Sequence, residues 1–182
     1  LQRCDEELSA RRQVCAQVGE RRYDPDFDEI AHETDFRNPA SNNRYFPLRI
    51  GNRWELRGGT EVIRIEVLNQ TKLIDGVRCV VVRDVVTVDG AVREATDDWI
   101  AQGRDGTVWY CGEEVKDYET FAGDQPLQPE LISRDGSFKA GRDGDKAGVL
   151  FLAAPRVGVA YREEFSVGNA EDVSQVIATN YS

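Results

Sequence analysis

The chain has 182 residues, with 33 acidic side chains against 23 basic ones and a formal net charge of −10. A surface that binds a phosphate backbone needs a basic face that releases counterions, so this balance argues against nucleic acid and anionic membrane as partners. No apolar run of roughly 18 residues is present, which excludes a membrane-spanning helix. The length suits one folded domain with a decorated terminus, an N-terminal helix and acidic linker over 1–43 and a folded body over 44–182. Four cysteines, no methionine and a start at Leu1 fit a mature exported chain, periplasmic or extracellular, after removal of a signal peptide.

The opening stretch LQRCDEELSARRQVCAQVGERR is rich in helix formers, with Leu8, Val14, Cys15 and Val18 as an apolar stripe and Gly19 as a stop. In one unbroken helix Cys4 and Cys15 would stand about 16 Å apart, beyond the roughly 7 Å that a disulfide tolerates. A Cys4–Cys15 bond therefore requires the helix to turn near Ser9.

Next comes YDPDFDEIAHETDF. Asp24, Asp26 and Asp28 keep the 1, 3, 5 spacing of a calcium loop, and Asp35 stands at position 12. Oxygen donors at alternate positions suit Ca2+, and His32 would extend the set to another divalent metal such as manganese or zinc. Three features oppose a regular calcium loop: Glu29 replaces the turn glycine, Pro25 stiffens the second position, and Asp35 is short for bidentate reach. The competing reading is a solvated acidic linker, continued by Pro39 and the NPASNN run.

Beyond Arg44 the periodicity becomes two. Ile63, Ile65 and Val67 alternate with Arg64 and Glu66, and GVRCVVVRDVVTV is β-branched on both faces, which predicts a long strand covered on both sides. Turns at Asp89–Gly90 and Asp105–Gly106 punctuate the run, and VAYREEFSV and DVSQVIA read as two closing strands. Phe121 to Ala154 reads as loops. The pattern predicts an all-β fold: a single antiparallel β-barrel of calycin-like form, or a two-layer sandwich, behind an N-terminal helical arm.

Parity then sorts the side chains of DDWIAQGRDGTVWYCGEE. Glu94, Thr96, Asp98 and Ile100 share one face, with Trp99 and Ala101 on the other; Val108 and Tyr110 oppose Trp109 and Cys111. If the Glu94 face points inward, it gathers Glu94, Asp98 and Tyr110 with Tyr161, Glu163 and Phe165 from a closing strand, carboxylates suited to acid–base work or to anchoring a ligand. If it points outward, the tryptophans form the core instead. Four cysteines allow three pairings; a meander of this kind favours Cys79 with Cys111, which leaves Cys4 with Cys15.

The motifs YFPLRIGNRWEL, GVRCVVVRDVV, DDWIAQGRDGTVWYCGEE, GSFKAGRDG and YREEF resemble a family of uncharacterised bacterial exported proteins with FPLxxGxxW, DWxAQDxxGxVWYxGE, GSWxAG and YRxEY-like signatures. The likeness spans roughly Arg22 to Val173 and differs from the pattern at Ile100, where tyrosine is usual, and at Gly103, where aspartate is usual. It implies export and no particular reaction.

Three functions fit these residues. The first is an exported barrel binding a small molecule through Trp99, Trp109, Tyr110 and Tyr161, with Glu94, Asp98 and Glu163 setting polarity, or binding a metal ion through the acidic segment. The second is an interaction subunit docking on a protein partner through its N-terminal arm. The third is a carboxylate enzyme on the same body. With one histidine, and that in the N-terminal segment, no Ser/His/Asp or Cys/His arrangement can be assembled, which ranks catalysis below binding.

Overall fold

The computed structural model describes residues 2–18, 22–31, 35–39 and 43–180. Its centre is a meander of long antiparallel strands. After β1 (Arg53–Gly58) come β2 (Glu61–Ile74), β3 (Val77–Val88), β4 (Ala91–Gln102) and β5 (Val108–Glu114), each hydrogen-bonded to the one before it. The β2–β3 and β3–β4 turns carry Asp–Gly pairs with both residues at positive φ, Asp75 and Gly76 then Asp89 and Gly90. That is the tight turn whose twist matches flanking antiparallel strands.

Short strands complete the sheet. β6 (Asp117–Glu119) pairs with β4 and with β7 (Glu130–Ser133), while β8 (Phe138–Lys139) and β9 (Gly148–Phe151) both pair with β5. The stretch from Phe121 to Ala154, expected to be loops, thus supplies strands that extend the sheet beyond β5. The expected closing strands do form, as β10 (Ala160–Arg162) and β11 (Val173–Gln175), but they pair only with each other. Among the described residues the strand path does not return from β8 or β9 to β1, so the sheet is antiparallel and open rather than a closed barrel.

Both faces of the sheet are covered, as the β-branched β3 predicts. One face packs Cys79, Val81, Trp99, Ala101, Trp109 and Cys111 against Phe27, Ala31 and Ala140. The other packs Val80, Val82, Ile100, Val108 and Tyr110 against Phe36, Leu48 and Phe138. These two sets alternate along the strands, as strand geometry requires. The β4 register matches the parity read from sequence: Trp99 and Ala101 lie on one face, Ile100 on the other.

The N-terminal segment is fastened to this body. Helix α1 (Gln2–Val18) runs unbroken and packs on β10 and β11, burying Ala10 and Val14. Leu8 and Cys15, expected to share a stripe with Val14, are exposed instead. A helix with no break at Ser9 cannot join Cys4 to Cys15, since they stand about 16 Å apart. A bond between these two within one chain is therefore excluded. The short helix α2 (Phe27–Ile30) inserts Phe27 beside Trp109, ring centroids 6.0 Å apart. Buried Asn43 then donates from its side-chain amide to the Gly106 and Leu152 carbonyls.

One irregularity sets the whole β5 edge. Between Trp99/Gly112 and Ile100/Tyr110 the β4–β5 register skips, leaving Cys111 as an extra residue. Gly112 there has φ +136°, and a Cβ on it would strike the Phe138 carbonyl of β8. Gly112→Ala should thus lower stability by about 1–3 kcal/mol, the usual cost of forcing bulk into a packed site. Urea unfolding would measure this; an unchanged midpoint would refute the assigned β5–β8 contact.

Candidate functional site

The bulge builds a carboxyl cluster on the Tyr110 face. It places Glu113 directly opposite Asp98. Tyr110 Oη donates to Asp98 Oδ1 at 2.7 Å. The Glu113 carboxyl shares hydrogen bonds with Tyr110 and with Glu164, which follows β10. Asp84 stands across from Thr96, whose hydroxyl donates to Glu94 at 2.8 Å.

Burial is the first cause of every large shift here. Asp98 stands at about 7, raised first by burial, with the Tyr110 hydrogen bond pulling the other way and the charges of Asp84 and Glu94 adding to the rise. Glu113 rises to about 8 through burial and then the charges of Glu164 and Asp98. Glu164 rises to about 7 through burial and then Asp172 and Glu163, and Asp84 to about 6 through burial and then Glu94. Two carboxyl groups bond each other only while one keeps its proton, so the Glu113–Glu164 contact is a protonated one.

Of the residues expected to form a ligand site, Glu94, Asp98 and Tyr110 do lie together. Trp99 and Trp109 do not join them: parity puts both on the opposite face. Tyr161 donates to the Leu150 carbonyl at 3.4 Å, and Glu163 accepts from Ser174 Oγ, so both serve the β10–β11 hairpin. Asp84, Glu113 and Glu164 were not foreseen. Glu113 is misplaced by parity counting because the extra residue at Cys111 reverses the faces beyond it; Gly112 was the available signal.

The opposite face holds a cavity of about 310 Å³ over Trp99. Lys72 Nζ lies 3.6 Å from the Trp99 ring centroid and Lys139 Nζ lies 4.7 Å from it. Arg142 and Arg134 line the same cavity, with Asp143 and Asp145 beside them. Lys139 is held below the usual ammonium range, first by burial and then by Lys72 and Arg142. Glu113 and Glu114 line it too: Glu114 pairs with Lys116 and Arg134, and Asp145 accepts from the Lys139 backbone N–H at 3.4 Å. Among the described residues, Lys72, Lys139 and Arg142 form no salt bridge.

The acidic N-terminal segment is divided among different partners. Asp24 pairs with Lys146 at 2.5 Å, next to Tyr23, whose hydroxyl donates to the Ala147 carbonyl. Asp26 and Asp28 hydrogen-bond each other, which raises Asp26. Asp35 accepts from the Arg37 backbone N–H. His32 lies outside the described residues. Among the described residues no group of three or more His, Cys, Asp or Glu is placed to hold a metal ion.

Cys79 and Cys111 flank β4, with Ala101 between them on the same face, and their Sγ atoms are 2.6 Å apart. Both are fully buried. Compared with family models, with curated proteins and with solved structures, the chain matches none.

Two outcomes follow from this geometry. Carboxyl groups whose pKa is higher folded than unfolded favour the folded state below about pH 4 and lose that advantage as pH rises through about 6–8. The melting temperature should fall by several degrees between about pH 5 and pH 9, and Glu113→Gln should flatten the slope; a wild-type melting temperature constant over that range would contradict the cluster. Peptide mapping without reduction should recover Cys79 and Cys111 as one linked pair, and two separately alkylated peptides would exclude the bond.

Proposed function

We propose that this protein binds a small anionic ligand in the cavity over Trp99 and carries out no chemistry on it. The observation that carries this reading is the placement of two ammonium groups on one indole face, neither of them in a salt bridge among the described residues. An aromatic face attracts each cation, yet Lys72 and Lys139 repel one another, and Arg142 adds to the repulsion. An oxyanion entering the cavity would accept hydrogen bonds from both ammonium groups and remove that penalty.

This reading shifts the ligand site from the acidic face, where carboxylates were expected to anchor a small molecule, to the opposite one. Of the acidic cluster, Glu113 also lines the Trp99 cavity. The reading also retains the exported setting, which the proximity of the Cys79 and Cys111 sulphurs supports.

The test is thermal unfolding with rising inorganic phosphate or sulfate, using chloride at matched ionic strength as the control. Ligand binding to the folded state alone should raise the melting temperature progressively. Lys72→Gln should have two opposed effects: a melting temperature at or above wild type without oxyanion, since a repulsion is gone, and at least tenfold weaker oxyanion binding. If phosphate, sulfate and chloride shift the wild type equally, no site is present.

A further inference from the structure

Helix α1 presents a second feature, independent of the anion cavity. Cys4 and Cys15 are both exposed, and the helix between them is unbroken. Their separation, 15 − 4 = 11 residues, corresponds to about 1,100° of rotation, three turns plus about 20°. Both thiols therefore point in nearly the same direction, away from Ala10 and Val14, which face β10 and β11. Exposed Leu8 lies between them on the same stripe.

The charges along this helix are segregated. Its first half carries Asp5, Glu6 and Glu7 with Arg3, and its second Arg11 and Arg12, so the two halves have opposite net charge. A helix whose halves differ in the sign of their net charge opposes a parallel copy and complements an antiparallel one. We propose that α1 is a docking surface for a second copy of this chain, antiparallel and two-fold symmetric, closed by two disulfides that each join Cys4 of one copy to Cys15 of the other.

The register is fixed by symmetry. If position 4 faces position 15, every residue faces the one whose number completes the sum 4 + 15 = 19. Glu7 then lies within about 1.5 Å in height of Arg11 of the second copy and on the same flank. Asp5 lies on the other flank, about 3 Å in height from Arg12 of the second copy. The patch is self-complementary, so the contact closes at two copies instead of propagating.

Bond formation is ordinary thiol–disulfide exchange. The Cys4 thiolate attacks a small organic disulfide, oxidised glutathione in the test, and releases one thiol. Cys15 of the second copy, as thiolate, then displaces the second glutathione thiol. Each bond thus oxidises two protein thiols and reduces one glutathione disulfide to two thiols.

Non-reducing electrophoresis after oxidation with glutathione disulfide tests the arrangement. Wild type should run as a covalent dimer that reductant converts to monomer. Because each bond needs one Cys4 and one Cys15, Cys4→Ser alone and Cys15→Ser alone should both stay monomeric. An equimolar mixture of the two variants should form a dimer through one remaining bond, and added salt should slow its formation. A covalent dimer of either variant by itself, a ladder of larger species, or a wild type that stays monomeric would overturn the proposal. Both positions are exposed, so each variant should melt with the wild type, which separates loss of pairing from loss of folding.

Discussion

The extra residue at Cys111 is the constraint on which the rest of this molecule depends. A regular β5 would carry Tyr110 and Glu113 on opposite faces. The bulge puts both on one, so that Glu113 faces Asp98 and reaches Glu164. The same skip leaves Gly112 as the point where β8 approaches closely enough that only a hydrogen fits. β8 in turn delivers Lys139 to Trp99. One inserted residue thus positions the carboxyl cluster on one face and the cation pair on the other, which is the usual effect of a bulge beside a site.

The two faces are chemically opposed, and the sheet that separates them is apolar on both sides. Charges across such a layer interact through a medium less polar than water, so acids on one face favour cations on the other. Glu113 spans the division: it belongs to the carboxyl cluster and also reaches the rim of the Trp99 cavity. Its charge state is therefore linked to both. A protonated Glu113 leaves the cavity more positive, and an anion in the cavity makes deprotonation of Glu113 less favourable. The two sites share this one titrating group without sharing a face.

How much was legible follows from where local rules hold. The face of each β4 side chain could be read, because β3 and β4 stay in regular antiparallel register from Val80/Ile100 to Val86/Glu94. Parity failed at the first residue past Cys111, since a bulge is invisible to a period of two, although glycine in a strand is a known mark of one. Helix α1 was legible from its composition, but its buried face was not. Its contact is with small Ala10 and Val14 on a short hairpin, so the larger Leu8 was left outside. Closure into a barrel was inferred from strand number alone. Whether the last two strands join the sheet depends on long-range pairing, and they pair only with each other.

The basic cavity was missed for a different reason. Lys72 and the pair Lys139 and Arg142 come from two separate segments, each ordinary by itself, and a net charge of −10 gives no sign of them. Net charge describes the far field of a molecule, while a binding site depends on the local balance within a few ångströms. Here Glu114 is held by Lys116 and Arg134 and makes no salt bridge with the two lysines that meet on one indole. Burial of carboxyl groups on one face and exposure of uncompensated ammonium groups on the other are consequences of the same packing. The sheet buries a group of acids on the Tyr110 face and leaves Lys72 and Lys139 on the Trp99 ring without a salt bridge among the described residues.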